Sequence, residues 1–135
     1  MIIYQVEQNL STDEFVKILK SSTLAERRPA NDAKRIEKML QYANLVVTAR
    51  LDNKLIGVAR SLSDFSFCTY LSDLAVDLAY QKQGIGRELI KHTKLAAPEA
   101  KLILLSAPAA IHYYPRIGMK RHEYCYYIDD VLELQ

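Results

Sequence analysis

Residues 74–87, LAVDLAYQKQGIGR, join the end of a short apolar strand to a loop with two glycines and then to a helix. The first turn of a helix has unpaired N–H groups and a partial positive charge, which together suit a phosphate group. Gly84 and Gly86 have no side chain that would keep a diphosphate away from the backbone. Lys82 and Arg87 add positive charge, so the stretch predicts a phosphate-binding turn.

Two common nucleotide sites do not fit this loop. It lacks the G-K-[ST] sequence that gives a P-loop its lysine and magnesium ligand. It also lacks the third glycine of the dinucleotide fingerprint, and it follows antiparallel hairpins rather than opening a parallel unit. For the two glycines alone, a tight turn that lets a helix pack closely on a strand is the structural alternative.

Hydrophobic periodicity and turn signals predict one α/β domain, residues 1–135, with a mixed sheet in the order β-α-α-β-β-β-α-β-α-β. No linker or repeat divides the chain. The predicted strands are residues 2–6, 45–51, 54–62, 67–76, 101–106 and 119–128. The predicted helices are residues 11–22 and 31–42, with Ser11 and Asn31 as caps, residues 84–97, and a short helix from Pro108 that Pro115 ends.

Composition limits the class of protein. Of the 135 residues, 50% are hydrophobic and 25% are charged, which is typical of a globular domain. No apolar run reaches the roughly 18–20 residues of a membrane span, and the N-terminus lacks signal-peptide features, so we expect a cytoplasmic protein. The net charge of +2 gives no general argument for a nucleic-acid partner. Cys68 and Cys125 form no CxxC pair, which argues against a zinc site and a disulfide framework.

Two motifs and the element order resemble one known family. Residues 81–86, QKQGIG, match the Q/R-x-x-G-x-G/A acyl-CoA signature of the GNAT N-acetyltransferase superfamily. The preceding LAV, residues 74–76, resembles the end of that family's fourth strand. Residues 110–119, AIHYYPRIGM, resemble the family's second signature, A-x-x-F-Y-x-x-x-G-F. The resemblance covers nearly the whole chain and implies the GNAT acyl-CoA N-acyltransferase fold.

The resemblance also implies a reaction: acetyl-CoA is the co-substrate, no metal takes part, and a primary amine attacks directly in a ternary complex. It implies that Tyr114 is the general acid that protonates the departing CoA thiolate. The implied cofactor contacts are the pantetheine-binding strand end, Leu74, Ala75 and Val76, and the diphosphate-binding loop, Lys82, Gln83, Gly84, Ile85, Gly86 and Arg87. Many members have an asparagine seven residues before the tyrosine; Ala107 stands there in this chain, and the adjacent Ser106 is a candidate substitute.

The chemistry of amine acetylation points to further residues. A neutral amine attacks a thioester carbonyl, so the amine's proton needs an acceptor and the oxyanion needs a donor, for which a backbone N–H near Val76 is the candidate. A thiolate is a tolerable leaving group, so an acid such as Tyr114 adds roughly 10²-fold. Asp73 is a candidate proton acceptor, with a solvated or structural carboxylate as the alternative. We interpret His112 as a surface or packing residue and Cys68 as a small buried residue.

The sequence leaves the acceptor open between a small-molecule amine and a protein amine. Arg27 and Arg28 either contact an anionic acceptor group or are solvated loop charges. Residues 124–127, YCYY, are expected to pack with strand alternation, with one or two rings lining the acceptor cleft. Two other functions stay open: a non-catalytic acyl-CoA-binding regulatory domain, and a cofactor-free protein-interaction domain. A homodimer is suggested only by the resemblance.

Overall fold

The structure is a computed structural model that describes all 135 residues, and the chain divides into two compact units, Met1–Leu105 and Ser106–Gln135. The larger unit contains a five-stranded sheet with the order β1-β2-β3-β4-β5. Its strands are β1 (Ile2–Val6), β2 (Leu45–Leu51), β3 (Lys54–Ser63), β4 (Cys68–Val76) and β5 (Lys101–Ile103). The first four are antiparallel to their neighbours and β5 is parallel to β4, so the sheet is mixed, as predicted.

The larger unit has three α-helices, α1 (Thr12–Ser21), α2 (Ala33–Tyr42) and α3 (Ile85–Ala96). Ser11 caps α1 as predicted, and its Oγ accepts the N–H of Glu14 at 3.1 Å. The predicted cap of α2 is wrong by one residue. Asp32, not Asn31, accepts the N–H of Arg35 at 3.2 Å, because its carboxylate satisfies the first turn of α2 in the same way.

The helices cover both faces of the sheet. Strand alternation separates two apolar clusters. Against α1 and α2, the sheet packs Val46, Val58 and Ala75 on Phe15, Leu19 and Ile36. Against α3, it packs Val47, Ala59 and Leu71 on Ile85 and Leu89. The larger unit therefore has three layers, with α3 alone on one face.

Gly57 lets α3 lie close to the sheet. A Cβ atom at this position would lie 3.1 Å from Leu89 Cδ1 and 3.2 Å from Ile85 Cγ2, both tighter than ordinary contacts. The missing side chain in β3 thus makes room for the first two turns of α3. The depth of α3 on the sheet in turn fixes where its N-terminus lies relative to the end of β4.

A charged cluster joins β1, α1 and β2. Arg50 donates to Glu7 at 2.6 and 3.0 Å and to Glu14 at 2.7 and 3.0 Å, and Thr48 Oγ1 donates to Glu7 at 2.6 Å. These hydrogen bonds lower the pKa of Glu7 to about 2 from an ordinary value of 4.5, and those from Arg50 have the largest effect. The two carboxylates raise the pKa of Arg50. The cluster therefore stabilises the fold only while Glu7 is ionised.

Replacing Glu7 with Gln should lower the free energy of unfolding by about 1–3 kcal/mol at pH 7, because charge-assisted hydrogen bonds to Arg50 are lost. The folded pKa is depressed, so the contribution is complete above pH 4.5 and is lost as the pH falls towards about 2. Urea unfolding at pH 7 and pH 3 should therefore show a smaller difference between wild type and variant at pH 3. Glu37→Gln, on the exposed surface of α2, is the control; an equal Glu7→Gln effect at both pH values would contradict the prediction.

The smaller unit consists of short elements: a 3₁₀ turn at Pro108–Ala110, the one-turn helix α4 (Tyr113–Arg116) and a 3₁₀ turn at Val131–Glu133. The prediction that Pro115 ends the short helix is wrong, because Pro115 lies inside α4, in the first turn, where its missing N–H has no role. Gly118 ends the helix instead. It has a φ of 97°, and the N–H groups of Gly118 and Met119 donate to Pro115 and Tyr114 at 3.1 and 3.0 Å.

The last predicted strand, residues 119–128, is not formed. The structure has no sixth strand, β5 ends at Ile103 rather than at residue 106, and residues 120–135 are all exposed. A strand needs a neighbour for its backbone hydrogen bonds, and none pairs with this segment. The expectation that residues 124–127 pack with strand alternation is wrong for the same reason.

Candidate active site

The sheet opens between β4 and β5. The two strands pair at only three positions, Cys68–Lys101, Thr69–Leu102 and Tyr70–Ile103. Beyond Tyr70, the only strand that pairs with β4 is β3. Residues 74–76, the predicted pantetheine-binding strand end, therefore lie along the open part of β4.

The open edge of β4 has a defined set of polar groups. The N–H of Asp77 donates to the carbonyl of Ile56 in β3 at 2.9 Å. Because backbone groups alternate between the two sides of a strand, Val76 and Leu74 direct their N–H and C=O groups away from β3. Gln81 Nε2 donates to the Val76 carbonyl at 3.0 Å. Leu74 and the N–H of Val76 are the backbone groups that this edge presents to a ligand.

The chain turns sharply between this edge and α3. Asp77 Oδ1 accepts the N–H of Ala79 at 2.9 Å, and the Asp77 carbonyl accepts the N–H of Tyr80 at 2.8 Å. Lys82 and Gly84 then adopt positive φ values of 64° and 81°. The loop thus ends on a left-handed glycine, which an L side chain would strain.

The N-terminus of α3 lacks a side-chain cap. Gly84 occupies the N-cap position and supplies no side chain, so the first-turn N–H groups of Ile85, Gly86 and Arg87 have neither a helical nor a capping partner. Lys82 and Arg87 are exposed beside them. This arrangement has the donors and the charge that a diphosphate needs.

Asp73 is completely buried and held by two arginines. Arg28 Nε donates to one carboxylate oxygen at 2.5 Å, and Arg60 Nε donates to the other. The alternative of a structural carboxylate fits this geometry, and the role of proton acceptor stays a prediction. The interpretation of Arg28 as a solvated loop charge is wrong, because its guanidinium is bound to a buried carboxylate.

The same two arginines hold a bulge in β4. The pairing with β3 shifts between Arg60–Asp73 and Ser61–Leu71, which leaves Ser72 as an extra residue. Arg28 Nη2 donates to the Ser72 carbonyl at 2.8 Å, and Arg60 Nη2 donates to Ser72 Oγ at 3.0 Å. The sequence analysis missed Arg60 and Ser72. The signal was a charged residue inside the mainly apolar β3 segment IGVARSL, residues 56–62.

Tyr114, the predicted general acid, lies in α4 of the smaller unit. Burial, and then the neighbouring Tyr113, raise the pKa of Tyr114 above its usual value of 10.0. The two rings meet edge to face with centroids 5.2 Å apart. The hydroxyl of Tyr114 is therefore protonated at neutral pH, the form that a general acid requires.

Three further predicted residues can be placed. His112 is exposed, as expected of a surface residue. Ser106 Oγ donates to the carbonyl of Ala107 at 2.7 Å, so its hydroxyl has a local partner, and its role as an asparagine substitute stays a prediction. The expectation that Cys68 is buried is wrong: it is exposed at the start of β4, with Sγ 3.7 Å from Asp64.

One cleft lies beside the loop that follows α1, and a second lies beside α1 and the start of β3. One, of about 490 Å³, is lined by residues that include Glu26, Arg28 and Asp32. The other, of about 630 Å³, is lined by residues that include Lys17, Lys54 and Asp77, at the end of β4. None of the helices combines the length and the apolar composition that a membrane span requires. No three His, Cys, Asp or Glu side chains are grouped as metal ligands.

The model of the acetyltransferase (GNAT) family matches residues 12–119. The chain belongs to the GNAT acetyltransferase family. Among curated relatives, it is 33% identical over 70 residues to histone acetyltransferase TAP1 of Glycine max, a match that covers 50% of this chain and 30% of the relative. It is 31% identical over 72 residues to GCN5-related N-acetyltransferase 2, chloroplastic, of Arabidopsis thaliana, covering 51% of this chain and 28% of the relative. The matches thus span less than a third of these relatives.

Solved structures show the same fold. A GNAT family acetyltransferase from Streptococcus pneumoniae superposes with a TM-score of 0.73 at 19% identity, covering 89% of this chain and 88% of that one. An aminoglycoside acetyltransferase from an uncultured soil metagenomic sample, solved with sisomicin, gives a TM-score of 0.66 at 21% identity and covers 96% and 97%. The predicted GNAT fold is confirmed, with the last strand as the exception within this chain.

Replacing Asp73 with Asn should lower the free energy of unfolding by about 3 kcal/mol or more, because Arg28 and Arg60 lose their buried counter-charge. Chemical denaturation at pH 7 measures this change. Glu26→Gln, an exposed residue of the 3₁₀ turn Leu24–Arg27 beside Arg28, is the matched control and should change stability by about 0.5 kcal/mol or less. An Asp73→Asn protein as stable as the wild type would contradict the structural role of this carboxylate.

Proposed function

We propose that this protein is an acetyl-CoA-dependent N-acetyltransferase that moves an acetyl group to a primary amine by direct attack in a ternary complex. The observation that carries the proposal is the open edge of β4 beside the uncapped N-terminus of α3, both in the larger unit. The free backbone groups of Leu74 and Val76 suit the amides of a pantetheine arm. The first turn of α3, with Lys82 and Arg87, suits the diphosphate.

In the proposed reaction, the amine nitrogen attacks the thioester carbonyl. A C–N bond forms, the C–S bond breaks, and the nitrogen loses a proton while the sulfur gains one. The N–H of Val76, which faces the open edge, is the proposed donor to the oxyanion. Tyr114 is the proposed donor to the thiolate, on the basis of its position in the second signature.

The proposed acceptor is a small-molecule amine, with a protein amine as the alternative. One structural relative is an aminoglycoside acetyltransferase, and one curated relative is named a histone acetyltransferase, so both classes belong in a screen. A net charge of +2 provides no broad acidic surface for a basic peptide or a polyamine, which favours a small amine of low charge. The screen therefore covers an amino acid, sisomicin and a histone tail peptide.

The cofactor site is tested by the thermal shift of the full chain with acetyl-CoA, desulfo-CoA and ATP. Ligand at about 100 times its dissociation constant adds roughly 2.7 kcal/mol, which is a shift of a few degrees for this size. A shift with both CoA compounds and none with ATP supports the proposal. No shift with either favours the cofactor-free interaction domain, and binding without transfer to any amine favours the non-catalytic domain.

Replacing Arg87 with Gln should weaken acetyl-CoA binding by about 5–10-fold, because one charge beside the diphosphate is lost. Calorimetric titration measures the dissociation constant. Lys91→Gln is the matched control: both side chains are more than half exposed and both lie near Glu88, but Lys91 is one turn farther along α3. Equal effects of the two variants would contradict a contact with Arg87.

Replacing Tyr114 with Phe should lower kcat by roughly 10²-fold without changing the dissociation constant of acetyl-CoA, because only the proton donor is removed. Release of free CoA thiol measures the rate. Tyr113→Phe, the neighbouring tyrosine in α4, should retain kcat within a few-fold. A Tyr114→Phe enzyme with full activity would assign the proton transfer to another group.

A further inference from the structure

The ion-pair network of Arg28, Asp73 and Arg60 has one positive charge in excess, because two guanidinium groups share a single carboxylate. Asp73 is completely buried and the Arg60 side chain is 7% exposed, whereas the Arg28 side chain is 23% exposed. A charge that is withdrawn from water is costly unless an opposite charge compensates it. The excess charge is therefore available to an anionic ligand at Arg28, the member that solvent reaches most easily.

Arg28 also retains hydrogen-bond donors for such a ligand. Its Nε donates to Asp73, its Nη1 donates to the carbonyl of Arg27 at 2.8 Å, and its Nη2 donates to the carbonyl of Ser72 at 2.8 Å. Each Nη nitrogen carries a second N–H group, for which the protein provides no acceptor. Guanidinium N–H groups form strong, charge-assisted hydrogen bonds with carboxylates. Arg28 is thus suited to bind a second carboxylate, one that a ligand supplies.

The cleft of about 490 Å³ that Arg28 lines has the size of a small-molecule site. Lys20, in the last turn of α1, lines the same cleft and takes part in none of the ion pairs of the structure. The carboxylates of Glu26 and Asp32 line it as well. The cleft therefore presents charges of both signs, which suits a small molecule that carries a carboxylate and an amine.

The cleft lies near the proposed cofactor site. The carbonyl that Arg28 Nη2 binds belongs to Ser72 in β4, two residues before Leu74. A ligand that contacts Arg28 is therefore separated from β4 by a single side chain. This places it beside the strand that, in the proposed function, binds the pantetheine arm.

We infer that this cleft binds the acceptor of the proposed reaction and that the acceptor is an amino acid, a small molecule with a primary amine and a carboxylate. The inference rests on the proposed function. Arg28 and Lys20 bind the carboxylate, and Glu26 and Asp32 attract the ammonium group before it loses its proton. Transfer then follows the reaction proposed above. A polycation such as sisomicin lacks the carboxylate and is repelled by the excess charge at Arg28.

The first test compares amino acids with their amides, which keep the primary amine and lose the negative charge. Release of free CoA thiol by the full chain with acetyl-CoA measures transfer to each common amino acid, to its amide and to sisomicin. We expect transfer to at least one amino acid, with kcat/KM lower by roughly 10-fold or more for its amide, because charge-assisted hydrogen bonds are lost. Equal or better transfer to the amides or to sisomicin would overturn the inference and leave the proposed function intact.

Direct binding separates the inference from the proposed function. In the ¹⁵N-labelled full chain with CoA present, amide peaks of residues 24–32 should shift when the amino acids are added and should not shift with the amides. Selective shifts without transfer to any amine would support this ligand class for the cleft and contradict the proposed function. If no amino acid shifts these peaks, the inference is wrong, whatever the activity.

Lys20→Gln tests the placement of the carboxylate without changing the ion-pair network. In the same titration, it should weaken amino-acid binding by about 3–5-fold, because one exposed cationic group is lost. Lys17→Gln is the matched control: Lys17 is also exposed, lies one turn earlier on α1 and lines only the cleft of about 630 Å³. It should change the dissociation constant by less than about twofold. Equal effects of the two variants would overturn the placement in this cleft.

Discussion

β5 pairs with β4 at only three positions. Beyond these pairs a gap separates the two strands, and the rest of the larger unit is arranged around this gap. A strand that loses its neighbour leaves N–H and C=O groups without partners, and such groups are costly unless water, a side chain or a ligand satisfies them. Gln81 satisfies the carbonyl of Val76. The remaining groups along Leu74 and Val76 make this edge suited to an extended polar ligand.

The gap matters because the same unit fixes a helix N-terminus at its end. Packing of Ile85 and Leu89 over Gly57 sets the depth of α3 on the sheet. Apolar contacts therefore determine where the N-terminus of α3 lies relative to the end of β4. Its first turn is free for an anion because Gly84 supplies no capping side chain. Stability and the proposed cofactor binding thus depend on the same contacts, and a side chain at position 57 should disturb both.

Local signals predicted most of this arrangement. The capping hydroxyl of Ser11 and the 3.6-residue apolar period of α3 each act within a few residues, so both can be found in a single sequence. The last predicted strand was different. The pattern of residues 119–128 favours a strand, but a strand forms only where a neighbouring strand pairs with it. The ion-pair network was also beyond local reasoning, since Arg28 and Asp73 are 45 residues apart. Only the charge of Arg60 inside an apolar strand indicated a buried counter-charge.

The Arg28–Asp73–Arg60 network explains why the bulge in β4 has a fixed shape. Two guanidinium groups share one buried carboxylate, and their remaining N–H groups bind Ser72 and the carbonyl of Met39 in α2. Removing any member leaves a buried charge without its partner, so the three act as a unit. Arg28 comes from the loop between α1 and α2 and also lines the 490 Å³ cleft. A ligand in that cleft would therefore contact a side chain that directly holds the bulge before Leu74.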